Sequence, residues 1–152
     1  MKSAIKFRVF LLDDNDAVRG VLSEIFADRG YEVFTFSNPA ICPLQMTPEC
    51  QCNGNQMCTD IIVSDLDMPK MTGLDFIENQ KTKNCKCQHV VLMSGNWTQQ
   101  RLLRAQELGC KTFAKPLPFQ ELYEWLDEVE NSIDSTRGLC NWFQDSGPLS
   151  KK

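Results

Sequence analysis

Five polar residues of complementary chemistry stand at the ends of short apolar runs or just beyond them: Asp13, Asp14, Asp65, Ser94 and Lys115. Three carboxylates crowded together repel one another, so ionising all three calls for a cation. Mg²⁺ suits such a set, because it takes hard oxygen ligands and keeps several of its waters. A carboxylate beside that ion can act as a nucleophile toward phosphorus and form an aspartyl-phosphate. A nearby lysine neutralises charge on the transferring oxygens. A hydroxyl can then bind one of those oxygens.

Sulfur supplies a second set. Six of the eight cysteines fall in two groups, Cys42, Cys50, Cys52 and Cys58, then Cys85 and Cys87. Convergent thiols suit a closed four-thiolate Zn²⁺ site or an iron–sulfur cluster. The same thiols can also stay free, oxidise reversibly or form disulfides. Cys-x-Cys spacing is tighter than the usual zinc-finger pair. Cys110 and Cys140 read as ordinary thiols, and His89 as a strand-start residue.

The elements that must position these groups alternate along the chain. Residues 7–12 form an apolar run of the kind that suits a parallel strand buried on both faces. Asn15 can cap a following helix with Val18, Val21, Leu22 and Ile25 on one stripe, and Gly30 stops it. Gly20 inside that helix costs about 1 kcal/mol relative to Ala. Further strands are expected at 31–36, 61–65, 90–93 and 112–114, with helices at 74–81, 98–108 and 119–133. Five βα units predict a doubly wound parallel sheet with helices on both faces. In such sheets the active site lies at the carboxyl ends of the strands, which gathers the five polar residues on one rim.

Two segments break the alternation. Residues 37–59 hold Pro39, Pro43, Pro48, Gly54 and four cysteines where a crossover helix belongs, and residues 134–152 form a polar tail. Trp142 and Phe143 in that tail are expected to dock on the core. Trp125 reads as helix packing, and Trp97 stands near Ser94 on a rim loop. Composition excludes other classes. Sixteen basic and twenty acidic residues give a net charge of −4, a poor match to a nucleic-acid backbone. No apolar run approaches the roughly 20 residues of a membrane span, and residues 1–6 carry no secretory signal, so the cytoplasm is the expected location.

The motifs Leu12-Asp13-Asp14, Ser64-Asp65-Leu66-Asp67-Met68-Pro69-Lys70-Met71-Thr72-Gly73, Leu92-Met93-Ser94-Gly95 and Lys115-Pro116 resemble, in order and spacing, the receiver domain of two-component response regulators, the CheY-like family. The resemblance covers about residues 7–131. It implies a flavodoxin-like three-layer sandwich with strand order 2-1-3-4-5, here with the second crossover helix replaced by a Cys-rich segment. It also implies Asp65 as phosphoacceptor and Mg²⁺ held by Asp13, Asp14, Asp65 and Asp67, Asp67 through its backbone carbonyl and Asp13 mainly through water. Ser94 becomes the switch hydroxyl and Lys115 the phosphoryl-contacting lysine, its peptide to Pro116 often cis. Gly95, beside Ser94, leaves the phosphoryl group accessible. One position departs from the pattern: Thr112 stands where receivers often carry an aromatic switch residue. Phe113 is the neighbouring aromatic, and strand alternation turns it to the opposite face, toward the core.

The strand order makes the third and fourth strands neighbours, about 4.8 Å apart. Both cysteine groups should therefore meet at the amino-terminal edge of the sheet, opposite the acidic rim. The expected function is a stand-alone receiver, a phosphoacceptor rather than an enzyme, phosphorylated on Asp65 by a histidine kinase or phosphotransfer protein. Its output passes to an unidentified protein through the fourth helix, fifth strand and fifth helix. Its domain spans 1–133, with an insert at 37–59 and an extension at 134–152. The alternative is a metal- or redox-sensing interaction module that uses the same fold and works through its cysteines.

Overall fold

A computed structural model describes residues 7–52, 54 and 56–143. The N-terminal residues 1–6 and the end of the extension, 144–152, lie outside the described residues. The elements run β1 (Arg8–Leu12), α1 (Asp16–Asp28), β2 (Glu32–Phe36), α2 (Pro43–Met46), β3 (Gln56–Met57), β4 (Ile61–Asp65), α3 (Gly73–Thr82), β5 (His89–Ser94), α4 (Gln99–Glu107), β6 (Lys111–Ala114), α5 (Phe119–Ser132) and β7 (Gly138–Leu139).

Five strands form one parallel sheet in the order β2-β1-β4-β5-β6. Counting only those five, this is the 2-1-3-4-5 order of a doubly wound flavodoxin-like sandwich. Every residue of β1 and β4 is buried, as the apolar runs 9–12 and 61–63 require for strands covered on both faces, and Arg8, Ser64 and Asp65 are buried with them. The edge strands β2 and β6 are only partly covered. Two apolar layers sandwich the sheet. One joins Val9, Leu11, Val63 and Met93 to Leu22 and Phe26 of α1 and Leu122 and Leu126 of α5. The other joins Phe10, Leu12, Ile62 and Leu92 to Phe76 and Ile77 of α3 and to the insert.

Local chemistry sets the helix ends. The side chains of Asn15, Thr72 and Thr98 cap α1, α3 and α4 by accepting the amides of Val18, Asp75 and Arg101. Gly30 and Gly109 follow α1 and α4 with φ of +89° and +77°, a conformation that costs a side-chain-bearing residue energy. The α1 stripe differs from its expected form. Leu22 and Phe26 are buried, whereas Val21 is 47% exposed, because the inward line runs through residues 18, 22 and 26, one position round the helix.

The insert contains more order than its composition suggests. A 3₁₀ turn at Pro39–Ile41 and the one-turn α2 replace the crossover helix. The short β3 then pairs with β7 of the extension in a separate two-stranded parallel ribbon. Phe143 follows and packs edge-on against Phe10 and Phe34, completing the layer where the crossover helix is missing. Among the described residues, no helix is long and apolar enough to cross a membrane.

Candidate functional site

The carboxyl ends of β1 and β4 bring Asp13, Asp14 and Asp65 together, with one carboxylate oxygen from each within 4.8 Å of the others. Asp65 is the last residue of β4, and the chain leaves the sheet immediately after β1 at Asp13. Asp13 and Asp65 are buried, whereas Asp14 is exposed. Lys115 reaches in from the end of β6, its Nζ 3.1 Å from Asp13 Oδ2 and 3.0 Å from Asp65 Oδ1. Its amide donates to the Ser94 carbonyl, and its peptide bond to Pro116 is cis. Burial raises the Asp65 carboxyl to about 6; Lys115 opposes that rise, and the charges of Asp13 and Asp14 add to it. Burial also disfavours the Lys115 ammonium, but its bonds to Asp65 and Asp13 outweigh that and leave its pKa raised.

This donor set fits Mg²⁺. Three hard carboxylates converge beside a single ammonium, so the cluster keeps an excess of negative charge that a divalent cation can neutralise. The Asp67 side chain lies apart from that group. Its Oδ2 accepts from Ser94 Oγ at 2.9 Å, and its Oδ1 pairs with Arg101 of α4 at 3.2 Å. Ser94, fully buried, also accepts the Asn96 amide. Its hydroxyl is therefore held by Asp67 rather than directed at Asp65.

Gly73 explains why the loop after Asp65 can close. Its amide bonds the Leu66 carbonyl, and a Cβ at this position would lie 2.5 Å from the Asp65 carbonyl oxygen. Only glycine allows that approach. Gly95 is open, and a Cβ there would meet only Lys115 Cβ, at 4.0 Å. Phe113 pairs in register with Met93 and is buried in the α1–α5 layer, while Thr112 faces the other side beside Leu92. An aromatic does reach this edge from the rim loop: Trp97 Nε1 donates to the Phe113 carbonyl at 2.9 Å.

The cysteines separate differently from their sequence grouping. Cys52 Sγ lies 3.1 Å from Cys58 Sγ and 2.7 Å from Cys140 Sγ, and all three residues are buried. Cys140, read from sequence as an ordinary thiol, thus belongs to the cluster. The β3–β7 pairing carries it there. Hydrogen bonding among the three sulfurs pushes the Cys52 and Cys58 thiols up and draws Cys140 down. The other four of the six expected ligands lie outside this trio. Cys87 donates to the carbonyls of Asp60 and His89, Cys42 is fully buried at the start of α2, and Cys50 and Cys85 border a small cavity that Cys58 also lines. No disulfide joins any of the eight.

Sequence reasoning missed the polar network beneath this trio. Arg8 Nη1 donates to the Cys58 and Cys140 carbonyls, and Arg137 grips the fully buried Asp60 carboxylate through two hydrogen bonds. Arg8, a guanidinium inside an otherwise apolar strand, was the available signal.

The sheet order, the strand-end acids and the lysine define a flavodoxin-like α/β domain with its site at the carboxyl rim. The chain belongs to the response regulator receiver domain family, whose model matches residues 9–127. It is 24% identical over 135 residues to the probable chemotaxis protein CheY of Rhizobium etli, covering 88% of this chain and 99% of that protein. It is 31% identical over 139 residues to the protein-glutamate methylesterase/protein-glutamine glutaminase of Ralstonia nicotianae, covering 88% of this chain and 34% of that protein. This chain therefore spans about a third of that relative's length. The structure of chemotaxis protein CheY4 of Vibrio cholerae superposes with a TM-score of 0.65 at 23% identity, over 82% of this chain and 98% of that one.

Proposed function

We propose that this receiver accepts a phosphoryl group on Asp65 from a histidine kinase or phosphotransfer protein and signals through contacts with another protein. The observation that carries this reading is the burial of Asp65 between Asp13 and Lys115, at the end of a central strand, in a chain of this family. An Asp65 carboxylate oxygen attacks phosphorus, the bond from phosphorus to the donor imidazole nitrogen breaks, and the imidazole leaves with the electron pair and takes a proton. Lys115 offsets charge on the phosphoryl oxygens. Mg²⁺, when bound by Asp13, Asp14 and Asp65 with the Asp67 carbonyl, supplies further charge neutralisation there. Apart from its own phosphorylation and dephosphorylation, the domain turns over no substrate.

Donor access is supported by an apolar groove of about 300 Å³ beside Lys115, bordered by the exposed Val21 and Phe119. Output follows from the Ser94 bonds. To hold a phosphoryl oxygen, the Ser94 hydroxyl must leave Asp67, which also pairs with Arg101 on α4. Phosphorylation would thus change a contact to α4 and bias the α4–β6–α5 face between two states. Trp97, tied to β6, is placed to follow that change.

Incubation with Mg²⁺ and acetyl phosphate tests the reading by intact mass. A phosphoryl-sized gain that maps to Asp65 and disappears in Asp65→Asn is expected. Unmodified wild-type protein, or an equal gain in Asp65→Asn, would overturn it.

A further inference from the structure

Three buried sulfurs converge at the amino-terminal edge of the sheet, far from the acidic rim. They join two parts of the chain widely separated in sequence, Cys140 standing 82 residues beyond Cys58 and 88 beyond Cys52. Both the Cys58 and the Cys140 thiols lie close to Cys52, so a single disulfide would leave the third sulfur unpaired. Their surroundings match the second shell of a thiolate–metal centre. The indole Nε1 of Trp142 donates to Cys58 Sγ at 3.2 Å, as outer-shell donors to ligand sulfur do. The buried Arg8 guanidinium donates to the carbonyls of Cys58 and Cys140 and brings positive charge beside them. Cys140 itself is held in place by its amide bond to the Met57 carbonyl.

We propose that Cys52, Cys58 and Cys140 bind a structural zinc ion, with Cys50 as the fourth ligand. Cys50 is half-buried, its sulfur accepts the Cys52 amide, and it borders the same small cavity as Cys58 and Trp142. Zinc favours four thiolates in tetrahedral geometry at about 2.3 Å, which places ligand sulfurs roughly 3.8 Å apart. The three sulfurs therefore need to open by only about 1 Å from their present spacing, a small side-chain adjustment. Each thiol loses its proton on binding, and no oxidant or reductant takes part.

The site has a definite architectural role. It closes the insert onto the extension at the place where a crossover helix is absent. Its binding free energy becomes folding free energy for both segments. It also holds Trp142 and Phe143 over β1 and β2, where Phe143 packs on Phe10 and Phe34. Neither segment alone has a core large enough to do this.

Metal analysis of the full-length, untagged chain, purified under reducing conditions, gives the first test. About one zinc per chain is expected, and replacement by Co²⁺ should produce thiolate-to-metal charge-transfer absorption typical of tetrahedral sulfur ligation. Cys52→Ala and Cys140→Ala should lower zinc content at least tenfold. Cys50→Ala should weaken retention against a chelator, and Cys110→Ala should change nothing. Cys140→His, which keeps a ligand, should retain zinc even if Cys140→Ala fails to fold. The proposal is overturned if folded wild-type protein takes up neither Zn²⁺ nor Co²⁺ under reducing conditions. It is also overturned if Cys140→Ala binds as much metal as wild type, or if alkylation in cell extract traps a Cys52–Cys140 disulfide in metal-free protein.

Discussion

At the carboxyl ends of the strands, the buried Asp65 and Asp13 share a single ammonium, Lys115, with the exposed Asp14 beside them. At the amino ends, Asp60 is buried just as deeply, but it receives a bidentate guanidinium from Arg137 and the Arg8 amide. The first site is left with more negative charge than its protein partners neutralise. In the second, the carboxylate is answered by the chain itself. That difference separates a rim with charge left over for a ligand, as the proposed phosphoacceptor role requires, from a site that holds the fold together. Local strain in charge is tolerated where a ligand will relieve it, and is absent where nothing else arrives.

The largest expected effect lies at the satisfied end. Arg137→Ala leaves a fully buried carboxylate without its charge partner and should destabilise the domain by about 3–5 kcal/mol in urea unfolding. A loss under 1 kcal/mol would break the comparison, because Asp60 would then need no partner. At the rim, Asp65→Asn should do the reverse. Asp65 titrates near 6 when folded, against about 3.9 for a free aspartate, so folding takes up a proton between those values. Its contribution to stability is therefore lost as pH rises from about 4 to 6. Without divalent cations, Asp65→Asn should be more stable than wild type by on the order of 2 kcal/mol at pH 7–8, and no more stable below about pH 4. Added Mg²⁺ should stabilise wild type and close that gap. Thermal unfolding across pH, with and without Mg²⁺, measures all three expectations.

Two smaller changes refine the picture of the rim. Gly73→Ala pushes a methyl group against the Asp65 carbonyl and should cost about 1–3 kcal/mol, with weaker Mg²⁺ binding as Asp65 shifts. Equal Mg²⁺ affinity in this variant would show that Asp65 placement is independent of the close approach. Trp97→Phe removes one hydrogen bond to Phe113 and should cost about 1 kcal/mol. Beryllofluoride, a mimic of the phosphoryl group, should change tryptophan fluorescence when added with Mg²⁺, and Trp97→Phe should diminish that change. An unchanged signal would assign that response to Trp125 or Trp142 instead.

The rim was legible because each of its residues ends a strand or follows one directly. Apolar runs place the strands, the intervening helices make them parallel through right-handed crossovers, and the carboxyl ends of parallel strands share one edge. Asp13, Asp14, Asp65 and Lys115 follow from that reasoning without any knowledge of contacts. The same reasoning put Phe113 in the core and Thr112 on the opposite face. It misplaced Val21, since a helix stripe can be read one position round when apolar residues flank the true inward line.

The sequence by itself determined the strands, their parallel pairing and the membership of the acidic rim, because those depend on local periodicity and a few topological rules, while the strand order was implied by the resemblance to receivers. It also pointed to the amino-terminal edge as the meeting place of sulfur. Only the tertiary structure decided which sulfurs meet there. Cys140 reaches Cys52 through a two-residue strand pairing and an Arg137–Asp60 bond across 77 positions. Contacts that distant leave no periodic trace in the chain. The hydroxyl of Ser94, named from sequence as part of the phosphoryl site, is likewise turned toward Asp67 by hydrogen-bond geometry that only the folded chain defines.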